Sequence, residues 1–397
     1  MCFVKVCAAR ESDPDLLRGK QAFYHQTSGA HIIQLDFSIK SKFNYKLNTT
    51  SIYMNYTDYN FELEKVQEYI GDSSFVVLQF PEGLMRFSTI IAEQIQQLTN
   101  AIPIIYGDVV YGACNYDEVS TSLFQIDKYV HFGHTQIVSP TIQSIKPLFI
   151  PCHLSLQLKD QLVSILDHIN QHKFPSVHFT STAQTACFIP QIHAYLAEAL
   201  PNLKIQQHKF APLNQNEILG CTCPKTSASV VYSLVDGLFH MEAVCITNST
   251  YVYQVNLVLN EIKQVESEVH QNLSYRKTIV QRLKTRQFKR INIVFGTLGQ
   301  QSSLKTLNEL QKFCADKKIA VQIQALQEIF PNKLLNGELT VQISCPRLTF
   351  DWGVHFGEVL NLYEFYQLFE TDDIEDYQLK NYCGDGNHEE YLDIARM

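Results

Sequence analysis

Strand-like and helix-like patterns alternate along these 397 residues in three successive rounds. The expected fold is therefore α/β, three similar domains with mostly parallel sheets, because strands joined through helices of this length run parallel. Each round carries one cysteine in a glycine- or proline-marked turn: Tyr111-Gly112-Ala113-Cys114, Leu219-Gly220-Cys221-Thr222 and Ile343-Ser344-Cys345-Pro346. The intervals of 107 and 124 residues between these cysteines are each the size of a small α/β unit. Length points the same way, since a chain this long does not fold around one small core.

Residues 1–57 are rich in Ser, Thr, Asn, Tyr and Lys and lack periodicity, which predicts a poorly ordered extension. The first domain, 58–150, opens with a helical run at Glu62–Ile70, followed by the strand Phe75–Phe80 and the turn Pro81-Glu82-Gly83. An amphipathic helix at Phe87–Leu98 and strands at Ile102–Tyr106 and Asp127–Phe132 complete it. In the second, 151–270, helices are expected at Leu162–His168 and Ala183–Ala199. Its strands are expected at Ser176–Phe179, Leu203–Gln206, Val230–Leu234 and His240–Ile246. A polar, helix-like connection over Glu261–Arg286 leads into the third, 271–397. There the strands are Ile291–Phe295, Ala320–Ile323 and Thr340–Ile343, with a helix at Leu304–Ala315 and a C-terminal tail. In parallel sheets functional residues gather at the carboxyl ends of strands, which is where all three cysteines fall.

Composition narrows the function. Lys and Arg number 32 against 40 Asp and Glu, a net charge of −8, so no strong basic field exists to hold nucleic acid. Eleven cysteines, odd in number and scattered through a large chain, favour free thiols and metal ligands over disulfides. The first residues are too interrupted by charge for a signal-peptide core, and no apolar stretch is long enough to span a bilayer, so a cytoplasmic protein is expected.

One thiolate from each of three units suits an iron–sulfur cluster with one iron left open. Cys223, two residues beyond Cys221, competes for the middle position. The remaining cysteines read as small buried residues. His131 and His134 fit a buried hydrogen-bonded pair better than a metal site, and Trp352 reads as a core anchor of the last domain. Arg347 is expected to pair with a carboxylate that the sequence alone does not identify.

Dispersed blocks make the chain similar to a known family. They include Leu78-Gln79-Phe80-Pro81-Glu82-Gly83-Leu84, Gly107-Asp108-Val109-Val110-Tyr111-Gly112-Ala113-Cys114, His131-Phe132-Gly133-His134 and Phe179-Thr180-Ser181-Thr182-Ala183-Gln184. Further on come Glu217-Ile218-Leu219-Gly220-Cys221-Thr222, Asp236-Gly237-Leu238-Phe239-His240, Gly296-Thr297-Leu298-Gly299 and Cys345-Pro346-Arg347-Leu348. In this order, from about Tyr59 to Tyr363, they resemble the diphthamide synthase family. The resemblance implies a radical enzyme that uses S-adenosylmethionine and a 4Fe-4S cluster ligated by Cys114, Cys221 and Cys345. It would move a 3-amino-3-carboxypropyl group onto a histidine of elongation factor 2. It also implies a heterodimer with a second subunit and a small metal-binding electron carrier.

The turns Pro81-Glu82-Gly83, Asp236-Gly237 with His240, and Gly296-Thr297-Leu298-Gly299 are expected to line the S-adenosylmethionine pocket, backbone N–H groups holding its carboxylate. Relatives often carry Gly-Arg-Gln-Gly-Ser where this chain has Gly299-Gln300-Gln301-Ser302-Ser303, so an anion contact from that arginine is not expected here. The noncatalytic partner subunit and a zinc-stabilised scaffold are the alternatives. Retention of all three cysteines disfavours the first, and the wide ligand spacing disfavours the second.

Overall fold

The computed structural model describes residues 54–107, 112–115, 121, 125–126, 128–137, 146–209, 212–235, 237–248, 250–265, 268–299, 301–370, 377 and 379. The expected N-terminal extension up to residue 53, Asp236, and the tail from 380 lie outside them. Among the described residues no helix is long and apolar enough to cross a membrane.

A two-residue strand β1 (Tyr59–Asn60) and helix α1 (Leu63–Ile70) precede the first sheet. That sheet contains β2 (Phe75–Gln79), β3 (Ile102–Tyr106), β4 (Tyr129–Phe132) and β5 (Leu148–Ile150), all parallel, in the order β3-β2-β4-β5. Helices α2 (Glu82–Met85) and α3 (Ser88–Leu98) connect β2 to β3. A short strand β6 (His153–Leu154) pairs antiparallel with β1 and ties the entry of the chain to the start of the second unit.

The second sheet holds β7 (Ser176–Ser181), β8 (Lys204–Gln206), β9 (Val230–Leu234), β10 (Tyr251–Asn256) and β11 (Glu261–Gln264) in the order β8-β7-β9-β10-β11. Only β11 runs antiparallel. Its helices are α4 (Lys159–His172), α5 (Ile189–Ala199) and α6 (Leu238–Thr247). Helix α7 (Glu268–Lys284) then leads to the third sheet, where β12 (Arg290–Gly296), β13 (Ala320–Leu326), β14 (Thr340–Ile343) and β15 (Val359–Asn361) run parallel in the order β13-β12-β14-β15. Helices α8 (Leu304–Asp316), α9 (Leu348–Asp351) and α10 (Leu362–Gln367) complete it. Ser303 caps α8 by accepting from the Thr306 amide at 3.1 Å.

All three sheets repeat one plan: the second strand in the chain at the edge, then the first, third and fourth. The strand order reverses between first and third strands, and there the connections leave on opposite faces and open a crevice at the carboxyl ends. Cys114 and Cys221 lie between the second and third strands of their sheets, Cys345 directly after a third strand.

Two expectations need correction. Residues 240–246 form a helix, part of α6, not a strand. Met241, Ala243, Val244, Cys245 and Ile246 are all buried, so this helix is covered nearly all round and carries no amphipathic period to betray it. Residues 261–264, read as the start of a helix, are the outer strand β11, and β1, β5, β6, β10 and β15 are additional strands. Helix α7 also runs unbroken across residue 270, where the second domain was expected to end.

The packing explains that continuity. Val231, Val244, Ile246 and Val252 of the second unit share one apolar core with Ile279, Leu283, Ile291 and Val341 of the third. The first sheet keeps its own core around Val76, Leu78, Phe80, Ile91 and Phe132. Its ties to the other two units include the β1–β6 pair, the Thr135–Glu217 bond and the seat of Gly299 on the Cys114 backbone.

Candidate active site

The Cys114 turn is held from beneath by β2 and β4. Gln79, 1% exposed at the end of β2, donates its amide nitrogen to the Asn115 carbonyl at 2.9 Å. Its amide oxygen lies 2.6 Å from His131 Nδ1 on β4, and His131 Nε2 lies 2.8 Å from His134 Nδ1. Both nitrogens of His131 are thus engaged by protein, which leaves that ring nothing to offer a metal. Burial pushes the His131 pKa well down, and burial together with His240 lowers that of His134 to about 4.

The Cys221 turn closes through reciprocal backbone bonds between Leu219 and Thr222. It starts at Gly220, where a Cβ would stand 1.9 Å from the Phe239 ring, so only glycine admits this approach of turn to helix. Cys223 faces elsewhere: it is 4% exposed in the core, with Asn248 Nδ2 at 3.8 Å from its sulfur.

Cys345 follows β14, and its neighbour Arg347 reaches across to the second unit. The guanidinium, on a residue 1% exposed, donates to the carbonyls of Gly220 (3.4 Å) and Phe239 (2.9 Å), and it lies 4.6 Å over the Phe239 ring. It also pairs with Glu242 and with Asp351, the latter at 2.9 Å. Burial alone would lower its pKa, yet Asp351 and Glu242 more than offset that and raise it. Arg347 therefore locks the Cys345 turn to the residue that precedes Cys221.

The third contact joins the ends of the chain's architecture. Gly299, at φ +56° beyond β12, packs so tightly on the first unit that a Cβ would stand 2.6 Å from the Cys114 carbonyl oxygen and 2.7 Å from Asn115 Cα. Both neighbours are backbone and cannot swing aside. Gly299→Ala should cost about 1–3 kcal/mol through overpacking and the left-handed φ. Gly83→Ala should change thermal stability by less than about 0.5 kcal/mol, because nothing lies within 4 Å of its Cβ position. Equal losses in the two variants would contradict this packing.

These contacts bring the three thiols together. Burial first and then Cys114 push the Cys221 thiol up to about 12, and burial, then Cys221 and Cys114, carry Cys345 well above its ordinary range. Neighbouring sulfurs that push the Cys221 and Cys345 thiols up disfavour their thiolates unless positive charge is supplied, which is what metal ligation does. Among the described residues no three Cys, His, Asp or Glu side chains are placed to hold one ion. A single tetrahedral ion would need sulfurs about 3.8 Å apart, from bonds of about 2.3 Å. The donor set is three soft thiols, one from each unit, and such a set suits a group of several irons.

His240 stands on the first turn of α6 within electrostatic reach of Arg347 and His134, its pKa lowered to about 4 by burial and then Arg347. Gly237, the N-cap of α6, and Gly83 both look onto open space. Pro81 and Glu82 open α2, and Pro81 lies against Gly133. Gly296 is built into its sheet instead, with Ser344 Oγ at 2.3 Å from its Cβ position, while Thr297 is exposed and Leu298 half-buried. A cleft of about 640 Å³ at residues 56–65 and Gln94 includes none of these groups.

A family model for diphthamide synthesis proteins matches residues 80–378. The chain belongs to the diphthamide synthesis family. The 2-(3-amino-3-carboxypropyl)histidine synthase subunit 1 of Dictyostelium discoideum is 32% identical over 327 residues, covering 78% of this chain and 68% of that protein. The subunit of the same name from Nematostella vectensis is also 32% identical, over 312 residues, covering 76% of this chain and 65% of that protein. The chain thus spans about two thirds of the length of these relatives. Dph2 from Pyrococcus horikoshii, solved with a 4Fe-4S cluster, superposes with a TM-score of 0.67 at 17% identity, covering 82% of this chain and 94% of that one.

The sequence did not single out Gln79, Glu242 or Asp351. Gln79 lies inside the quoted Leu78–Leu84 block, so a buried amide at a strand's carboxyl end was the available signal. Glu242 is 105 residues from Arg347, and nothing local marks the pair.

Proposed function

We propose that this chain transfers the 3-amino-3-carboxypropyl group from S-adenosylmethionine to a histidine of translation elongation factor 2, the first step of diphthamide biosynthesis. The observation that carries this reading is the meeting of Cys114, Cys221 and Cys345, one from each unit and each half-buried, within electrostatic reach of one another. We assign these three as the thiolate ligands of a 4Fe-4S cluster. When bound, such a cluster supplies one electron to the sulfonium and one iron free of protein ligands.

The chain's own residues bind and orient. Arg347 and Gly299 fix the three turns against each other, and a radical reaction needs that rigidity more than it needs acid or base groups. The amides at the N-terminus of α6, behind Gly237, suit the ligand's carboxylate, because a helix start presents unpaired N–H groups and positive dipole. The turn at Pro81-Glu82-Gly83 and residues Thr297 and Leu298 close the other sides, with His240 on the wall. Asp236 precedes Gly237 and is assigned to the same pocket. Elongation factor 2 would deliver its histidine on a loop tip from solvent. A second subunit and a small metal-binding electron carrier would complete the system, in the cytoplasm.

The test is to purify the chain without oxygen and reconstitute it with iron and sulfide. Reductant, S-adenosylmethionine, elongation factor 2 and the second subunit are then added. Methylthioadenosine and a histidine heavier by one aminocarboxypropyl group are expected by mass spectrometry. A brown protein that makes neither product would overturn the catalytic role, and a colourless one that retains zinc would overturn the cluster.

A further inference from the structure

His134 ends a chain of hydrogen bonds whose direction is fixed from the other end. Gln79 must turn its amide nitrogen toward the Asn115 carbonyl, so its oxygen faces His131 Nδ1, and that nitrogen carries the proton. His131 is fully buried, with no carboxylate among its hydrogen-bond partners, so it is neutral and its Nε2 is a bare acceptor. His134 Nδ1 therefore donates to it. The lone pair of a neutral His134 is left on Nε2, which has no hydrogen-bond partner among the described residues. The residue is half-buried just beyond the carboxyl end of β4, with its ring within electrostatic reach of His240. The loop is braced on both sides, since Gln184 donates to the Gly133 carbonyl and Thr135 donates to Glu217 at 2.9 Å.

The surrounding charge decides what that lone pair receives. Arg347, the cation that acts on His240, is already paired with two carboxylates, Glu242 and Asp351, so its charge is matched within the protein. A wall whose cation is matched, with a bare imidazole acceptor beside it, suits an amino group. We propose that His134 Nε2 accepts a hydrogen bond from the α-amino group of S-adenosylmethionine, and so orients the aminocarboxypropyl arm beside the three thiols. This rests on the functional reading above, and it makes His134 a ligand-binding residue where the bland alternative is a brace within the first sheet.

The experiment measures binding to the reconstituted full chain by equilibrium dialysis, with S-adenosylmethionine and with its analogue lacking the α-amino group. The wild type should prefer the amine-bearing ligand by about 10-fold to 100-fold, the worth of one hydrogen bond to a charged group. In His134→Leu that preference should collapse toward unity, and His134→Gln, which keeps an acceptor near the same place, should restore part of it. A brace would weaken both ligands equally, and an unchanged preference in His134→Leu overturns the proposal. Failure of both ligands to bind the wild type overturns the functional reading itself. Independently of any ligand, ring-nitrogen NMR of the wild type should find His134 protonated on Nδ1. Protonation on Nε2 would reverse the chain and sink the assignment.

Discussion

Cys221→Ala is expected to leave anaerobic reconstitution without the brown colour of an iron–sulfur protein and to form methylthioadenosine at the background rate. Cys223→Ala, two residues away, should stay brown and active. The two thiols are neighbours in sequence but face different surroundings: Cys221 confronts Cys114 and Cys345, whereas Cys223 is packed among Ile218, Val244 and Cys245. Cys223→Ala should cost only about 1–2 kcal/mol, as a small truncation in a well-packed core. Iron and sulfide content, the absorption spectrum and the product assay separate the pair. If Cys223→Ala loses the cluster and Cys221→Ala keeps it, the assignment of the middle ligand is reversed.

Arg276→Met should lower the stability of the chain by about 3–5 kcal/mol, because it strands a buried carboxylate. Arg276 on α7 and Glu364 on α10 are both fully inaccessible and meet through two bonds, Nε to Oε1 at 2.8 Å and Nη2 to Oε2 at 2.6 Å. The same guanidinium donates to the carbonyls of Val359 and Gly357, while Glu364 accepts from the Asn361 amide at 3.0 Å and so caps α10. Neutralising the stranded group should recover much of the loss: Arg276→Met combined with Glu364→Gln keeps the cap and removes the charge. Urea midpoints at a constant slope measure both effects. A loss under about 0.5 kcal/mol in the single variant, the scale of a surface change, would mean that the pair is not buried as described.

Most strands were legible because central parallel strands are short, apolar and bounded by turn residues: Thr340–Ile343 was placed to the residue, and Ile291–Phe295 falls one short at either end. The failure at α6 has a physical cause, since a helix buried on all sides reads as an unbroken apolar run. At Glu261–Gln264 a polar edge strand owes its conformation to pairing with β10, and its own sequence carries little of that information. In the candidate site the three cysteines stood out through their turns and the family blocks around them. What held them in place did not. Gly299 was expected to line the ligand pocket, but its missing side chain makes room for the Cys114 backbone. Arg347 announced a charge needing partners, yet its partners are on another unit. Trp352 is half-buried, stacked with Phe356 at 5.6 Å in a small satellite cluster rather than in the main core.

The junction also sets a timetable for biosynthesis. A ribosome releases the three thiols one after another, and neither Cys114 nor the Cys114–Cys221 pair has the Arg347 lock or the Gly299 seat until the last sheet has formed. Closing loops of 107 and 124 residues before that moment costs chain entropy with no contact to offset it. Loading of whatever the thiols hold therefore waits for a finished third unit, and a nascent or misfolded chain stays metal-free. Uptake of a group held by all three thiols would then double as an inspection of the whole fold.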